Sequence, residues 1–354
     1  MSDSTPISQL KVKLAEIQSN LETPIHIAIV MHYVPDPDCI GAAQGMKRIL
    51  REWNYDSKIS IIHGGEISHP QNKTMINVLN FQFTNLDDIE DLPNFADAFI
   101  VVDVTPERCG MKDIPCLMVI DHHKGDTKNA EIKDIRFLGS ASSIVWTYME
   151  EIGLELDKTD EEDSKTATSM LVGIKTDTMD LVTDSVTDTD FEAYKNLLGY
   201  TNPTHLASII NYPIPPYHFE LRKRLDRSEH VEEGKGFIIG GIGYIHPAQR
   251  DAIPSIAEER ARVEGINTSF IMAIVGSNLE VSIRSSSQSL EVHKTCQNIF
   301  GKEYSGGKPG AGAAKIPMGS FAVDDEDEET QAEAWEFIRK LFFQRIQREM
   351  SNHR

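Results

Sequence analysis

The stretch Leu117-Met118-Val119-Ile120-Asp121-His122-His123 decides how this chain is read. Its four apolar residues form a short continuous run of the kind that a buried strand shows, and the polar triplet falls at the strand's carboxyl end. Two other stretches repeat the arrangement. Ile27-Ala28-Ile29-Val30-Met31 runs into His32-Tyr33-Val34-Pro35-Asp36-Pro37-Asp38, and Ile100-Val101-Val102 ends in Asp103. An open α/β sheet binds its ligands outside the carboxyl ends of its strands. Carboxylates and imidazoles delivered there by three strands predict one metal-dependent site.

Working outward, Ile7, Leu10, Leu14, Ile17 and Leu21 recur at helical steps. They predict an amphipathic helix for core packing, with a homodimer seam as its alternative use. Strands are expected at 25–31, 58–62, 98–104 and 117–120, and helices at 41–53, 142–151 and 161–175. The last of these delivers Lys175-Thr176-Asp177-Thr178. This alternation predicts the α/β class, with a mostly parallel sheet and helices on both faces. Residues 1–211 are assigned to this metal-binding domain.

The prolines of 212–216 stiffen a linker, since each fixes φ and removes a donor. Residues 217–354 are expected to form a smaller α/β domain. Its elements are a strand at 236–244, a helix at 253–263, paired strands at 268–275 and 280–284 and a helix at 290–300. A glycine-rich segment at 305–312 follows. The final helix, 331–349, places Trp335, Ile338, Leu341 and Phe342 on one face.

The 354 residues carry a formal net charge of −20. Such a surface repels long duplex nucleic acid, which is bound by neutralising its phosphates. Small phosphate ligands remain compatible, because bound cations would invert the local field. The acidic run 324–329 is read as a solvated loop. No apolar run reaches membrane-spanning length, and Met1-Ser2-Asp3-Ser4 lacks the basic and apolar regions of an export signal. Cys39, Cys109, Cys116 and Cys296 show no CxxC spacing. The expectation is a soluble cytoplasmic protein without a membrane partner.

His32, Asp36 and Asp38 are separated by four and six residues. Asp36 and Asp38 can each reach one of two neighbouring cations, and Asp103 can bridge them. His122 and Asp177 complete the second set. Taken singly, each aspartate has an ordinary use, and Asp38 in particular suits a helix N-cap. Together they form an oxygen-rich set with one imidazole per ion, which suits manganese or magnesium better than zinc. Two such ions, about 3.5–4 Å apart, can hold a hydroxide and support in-line phosphoryl displacement.

His32-x-x-Pro35-Asp36-x-Asp38, Asp103, Asp121-His122-His123 and Asp177 resemble the successive motifs of the DHH phosphoesterase superfamily. That superfamily includes nanoRNase/pAp phosphatases, RecJ-type exonucleases, exopolyphosphatases and family II pyrophosphatases. Val281-Ser282-Ile283-Arg284-Ser285 and the segment 305–313 resemble a DHHA1 domain. The resemblance implies that His32, Asp36 and Asp103 hold one cation, and Asp38, Asp103, His122 and Asp177 the other. It further implies that His123 contacts the scissile phosphate and that Asp121 orients the histidine pair. Asn72, Arg284, Gly306, Gly307 and Lys308 would bind substrate, with Lys308 standing where the family commonly has histidine. The implied activity is hydrolysis of short oligoribonucleotides, linear dinucleotides or 3′-phosphoadenosine 5′-phosphate (pAp) by a metal-bridging hydroxide. A polyphosphate or pyrophosphate hydrolase is the enzymatic alternative, and a non-catalytic nucleotide sensor the other.

Overall fold

Short runs of buried aliphatic residues, each closed by polar ones, build the first sheet. The structure, a computed structural model, describes residues 4–55, 58–65, 67–123, 125–228, 230–232, 236–308, 310–323 and 328–352. Pro309 of the glycine segment and residues 324–327 of the acidic run lie outside the described residues. The chain divides into two units, Met1–Pro213 and Ile214–Arg354.

The first unit begins with α1 (Pro6–Ser19), β1 (Ile27–Val30), α2 (Pro37–Glu52), β2 (Ile59–His63), α3 (Pro70–Leu79) and the two-residue β3 (Thr84–Asn85). It continues through β4 (Ala98–Val102), β5 (Cys116–Asp121), β6 (Ala130–Ile135), α4 (Ala141–Glu151), α5 (Glu161–Asp177), α6 (Asp188–Leu198) and α7 (Pro203–Ile210). The six strands lie in the order β3-β2-β1-β4-β5-β6, and every pairing is parallel. This is the expected α/β architecture. The two faces differ in their cover. One buries Ile27, Ile29, Ile100, Met118 and Ile120 against side chains of α1, α2, α4 and α5. The other buries Ala28, Val30, Val101 and Val119, and among the described residues its cover includes 3-10 turns at Leu86–Asp88 and Leu92–Asn94.

Strand β6 and the start of α2 differ from the sequence reading. The strand β6, with Glu131, Lys133 and Asp134 among its six residues, lies at the sheet edge. Its alternating polar residues hid it from a search for apolar runs. Helix α2 starts at Pro37 instead of residue 41, and its N-cap is Asp36. Proline at the first helical position is pre-set for a helix, and an aspartate before it satisfies an orphan N–H. Asp38 is therefore inside the first turn and is not the cap.

Helices α2, α4 and α5 meet closely around Asp38. A Cβ on Gly173 of α5 would lie 2.8 Å from Asp38 Cα and 2.7 Å from Ser142 Oγ. Only a glycine allows this approach.

The second unit comprises α8 (Pro216–Asp226), β7 (His230–Glu232), β8 (Phe237–Ile245), α9 (Ala252–Ala261), β9 (Thr268–Val275) and β10 (Asn278–Ser285). It ends with α10 (Val292–Phe300), β11 (Ser305–Lys308), β12 (Ala311–Pro317) and α11 (Glu328–Asn352). Its mixed sheet has the order β11-β12-β10-β9-β8-β7, with β8 and β9 parallel and the other pairs antiparallel. Residues of α10 and α11 cover one face; Leu221, Leu225, Ile253 and Ile256 of α8 and α9 cover the other. The α11 stripe is Ile338, Phe342, Phe343 and Ile346, while Leu341 is exposed. Leu341 lies three residues after Ile338, at the margin of a face centred on steps of four. Among the described residues, no helix is long and apolar enough to cross a membrane.

Gly173→Ala is expected to destabilise the first unit by about 1–3 kcal/mol, the usual cost of overpacking. Urea unfolding monitored by tryptophan fluorescence measures it; an unchanged midpoint would mean that α2 and α5 separate freely.

Candidate metal centre

The carboxyl ends of β1, β4 and β5 bring the three sequence clusters to one place. His32 follows β1, Asp103 follows β4, and Asp121 closes β5 before His122 and His123. Asp177 is the last residue of α5. A carboxylate there faces the partial negative charge of its own helix end, an arrangement that a bound cation would relieve.

Asp103 is the centre of the arrangement. Its Oδ1 lies 3.3 Å from His122 Nε2 and its Oδ2 lies 3.7 Å from His32 Nε2. One buried carboxylate thus faces both imidazoles, with one oxygen toward each. His122 Nε2 is also 3.1 Å from Asp177 Oδ2 and 3.9 Å from Asp38 Oδ2. His32 Nε2 lies 3.6 Å from Asp36 Oδ1. Asp103 Oδ1 and His122 Nε2 are buried without a well-formed hydrogen bond. Buried polar atoms are ordinarily satisfied, and donor atoms left this way around a common point fit a cation. Asp38, His122 and Asp177 form one group whose ligand atoms lie within 4.8 Å of one another, and Asp103, His122 and His123 form another.

The backbone and the surrounding groups aim these side chains. Asp103 has φ of +60°, in the left-handed region, while its N–H donates to the Ile120 carbonyl at 2.7 Å. That conformation costs on the order of 1 kcal/mol for a residue other than glycine. Leu138 O lies 3.1 Å from His122 Nδ1, a bond that makes Nδ1 the donor and leaves Nε2 to face the carboxylates. Asp38 is fully buried; its two oxygens accept from the backbone N–H groups of Ala141 and Ser142, at 2.6 and 2.9 Å. It therefore also satisfies orphan donors at the start of α4.

Asp121 orients His123 alone. It accepts from the His123 N–H at 3.1 Å and from its Nδ1 at 2.8 Å. The sequence reading had it orienting both histidines, but His122 is fixed by the Leu138 carbonyl instead. His123 is half-exposed, which leaves its Nε2 available. Asn72 is buried, and its amide donates to Pro35 O at 2.9 Å, so it braces the loop between His32 and Asp36.

Cys39 was missed. Its buried Sγ accepts from His32 N–H at 3.3 Å and donates to Val102 O at 3.4 Å. Burial and the neighbouring Asp103 raise its thiol well above the ordinary range, so it remains protonated and holds backbone in place. Its signal was available, three residues beyond Asp36 in the first turn of α2.

The remaining expected residues are in the second unit. Arg284 on β10 and Lys308 on β11 both stand opposite Ala311 of β12. Directly opposed residues share a sheet face, so Arg284 and Lys308 do as well. Arg284 donates to Ser282 Oγ and Ile283 O, and the charge of Glu258 acts on its guanidinium without forming a salt bridge among the described residues. Gly306 and Gly307 lie on the same edge strand as Lys308.

Residues 26–174 match the DHH family, N-terminal domain. A curated relative, the uncharacterized protein MJ1633 of Methanocaldococcus jannaschii, is 31% identical over 319 residues, covering 89% of this chain and 63% of the relative. The chain thus spans less than two thirds of that relative's length. Among solved structures, an exopolyphosphatase-related protein from Bacteroides fragilis has a TM-score of 0.68 at 15% identity, with 94% of this chain and 98% of that chain covered. The last likeness is one of fold.

Burial pushes Asp103 up to about 6 against the pull of His122, and the neighbouring Asp36 adds to the rise. Burial alone would lower His122, but the carboxylates of Asp103 and Asp177 push it up to about 12. Cation binding must displace the His122 proton and, below about pH 6, the Asp103 proton as well. Manganese affinity is therefore expected to fall as pH drops through 6, and binding to release protons at pH 7. Titration calorimetry in buffers of different ionisation enthalpy reads the release; buffer-independent heat would contradict the protonated His122.

Proposed function

We propose that this chain, whose residues 26–174 match the DHH family, N-terminal domain, is a metal-dependent phosphoesterase acting on short oligoribonucleotides, linear dinucleotides or pAp. The observation that carries the reading is the buried Asp103, with one oxygen toward His32 and the other toward His122. His32, Asp36 and Asp103 would hold one divalent cation, and Asp38, Asp103, His122 and Asp177 a second. Manganese, or else magnesium, suits this donor set. When bound, such a pair supplies positive charge at the phosphate oxygens and lowers the pKa of water.

The chain's own groups do the rest. Asp121 holds His123 through two hydrogen bonds to one oxygen, which fixes the ring with Nε2 turned away from Asp121; in the imidazolium form Nε2 would donate to a phosphate oxygen. The Leu138 carbonyl keeps His122 in one tautomer. In the second unit, Arg284 and Lys308 share a face, and we assign both, with Gly306 and Gly307, to the substrate's far phosphate or nucleoside. A guanidinium fork matches a phosphate geometrically. The formal charge of −20 favours small substrates over duplex. Four free, buried cysteines agree with a cytoplasmic setting.

A manganese-containing panel of pApA, pAp, pyrophosphate and polyphosphate tests the substrate class. Cleavage of pApA or pAp is expected; phosphate release from pyrophosphate alone would assign the hydrolase alternative, and no turnover would assign a sensor. Asp103→Ala is expected to abolish activity and lower manganese content, whereas Asp121→Asn should lower kcat about 10–100-fold with metal content unchanged. Arg284→Ala should raise KM about 10-fold or more, the usual effect of losing a charged hydrogen bond. Retained activity in Asp103→Ala would overturn the reading.

A further inference from the structure

Beside the metal centre stands an aromatic side chain that no role above uses. Tyr33 follows His32 directly and is 50% exposed. Among the described residues its hydroxyl makes no hydrogen bond and its ring meets no other ring. Its support is backbone. β1 and β2 are parallel neighbours with Val30 opposite Ile62, so equal steps past the strand ends set Tyr33 beside Gly65.

A Cβ on Gly64 would lie 2.5 Å from Tyr33 Cδ2 and 2.8 Å from Cε2. One on Gly65 would lie 2.8 Å from Cδ1, 3.0 Å from Cε1 and 2.7 Å from the Tyr33 carbonyl oxygen. Both edges of the ring therefore rest against the glycine pair, and a side chain at either position would displace it. The pair is itself held, because His63 Nδ1 lies 2.8 Å from Gly65 O. The result is an aromatic ring seated on backbone, with half its surface open, one residue from an imidazole that faces Asp36 and Asp103.

We infer that Tyr33 is a stacking shelf for the nucleobase attached to the phosphate being cleaved. The inference rests on the proposed phosphoesterase reading and deepens it. An uncharged aromatic face binds a base without regard to its hydrogen-bonding edge, because every base has a π-face. It adds no cation to a strongly acidic chain. The shelf therefore provides affinity for nucleotides over inorganic phosphates and little discrimination among bases.

Two measurements separate the shelf from the underlying reading. In the first, kcat/KM for pApA is divided by kcat/KM for tripolyphosphate with manganese-loaded full-length protein. Tyr33→Ala is expected to lower this ratio about 10-fold or more, through KM for pApA, as loss of one base–aromatic stack does. Tyr33→Phe should keep the ratio, because the ring and not the hydroxyl stacks. Gly64→Ala should lower it as Tyr33→Ala does.

In the second, quenching of a 2-aminopurine-containing dinucleotide reports stacking in calcium-loaded protein without turnover. It is expected in the wild type and Tyr33→Phe and lost in Tyr33→Ala. Quenching that depends on Tyr33 while pApA resists hydrolysis would leave the shelf standing and sink the phosphodiesterase reading. Hydrolysis of pApA with neither ratio nor quenching altered in Tyr33→Ala would overturn the shelf alone. An equal loss on both substrates would assign Tyr33 to positioning His32 and would likewise overturn it.

Discussion

Mutual repulsion among buried carboxylates is the constraint around which the first unit is arranged. Asp38 and Asp103 are removed from water, and Asp177 and Asp36 adjoin them at a distance set by two imidazoles. Burying charge is costly unless it is paired. Burial and the charge of Asp103 accordingly hold Asp38 well above the usual carboxylate range. Without a cation the cluster is relieved by protons, on His122 and within the Asp38–Asp103 pair. The same groups, deprotonated, supply the donor set for divalent ions. Protonation, or a bound divalent cation, would each answer the same electrostatic problem.

The architecture keeps these charges close together. Parallel pairing sends β1, β4 and β5 to the same end of the sheet, so three loops share one origin. Helix α2 then has to approach α4 and α5 at near-backbone distance, which Gly173 permits. The Asp38 carboxylate answers the approach by accepting from the first N–H groups of α4. Its buried charge is stabilised by the helix end as well as by any cation. Asp103 adopts a left-handed φ at the place where it must face in two directions. Local strain and the two-sided facing of the carboxylate coincide at that residue, as is common where a backbone is shaped for function.

The second unit is organised differently. Its sheet is mixed, its two faces are covered by separate helix pairs, and its edge carries the glycine segment. Register across β11, β12 and β10 sets Lys308 and Arg284 on one face with Ala311 between them.

Much of this protein was legible in its sequence. Runs such as Leu117-Met118-Val119-Ile120, closed by Asp121, specify buried strands, and their alternation with helical patterns specifies a parallel sheet. Once the strands are parallel, His32, Asp103 and His122 must emerge at one end. What the sequence could not supply were relations that depend on register and helix packing between distant elements. It could not tell that Asp36, and not Asp38, caps α2, since either suits a helix start. Nor could it tell that Leu138 aims His122, or that Asn72 turns inward to Pro35. The charged edge strand β6 was hidden because an edge has only one neighbour and needs no continuous apolar run. The ring of Tyr33 lies against Gly64 and Gly65 only because two strands end side by side. Sequence determined which chemical groups the site holds; tertiary structure decided which atoms of those groups face one another, because side-chain distances follow from packing and not from spacing along the chain.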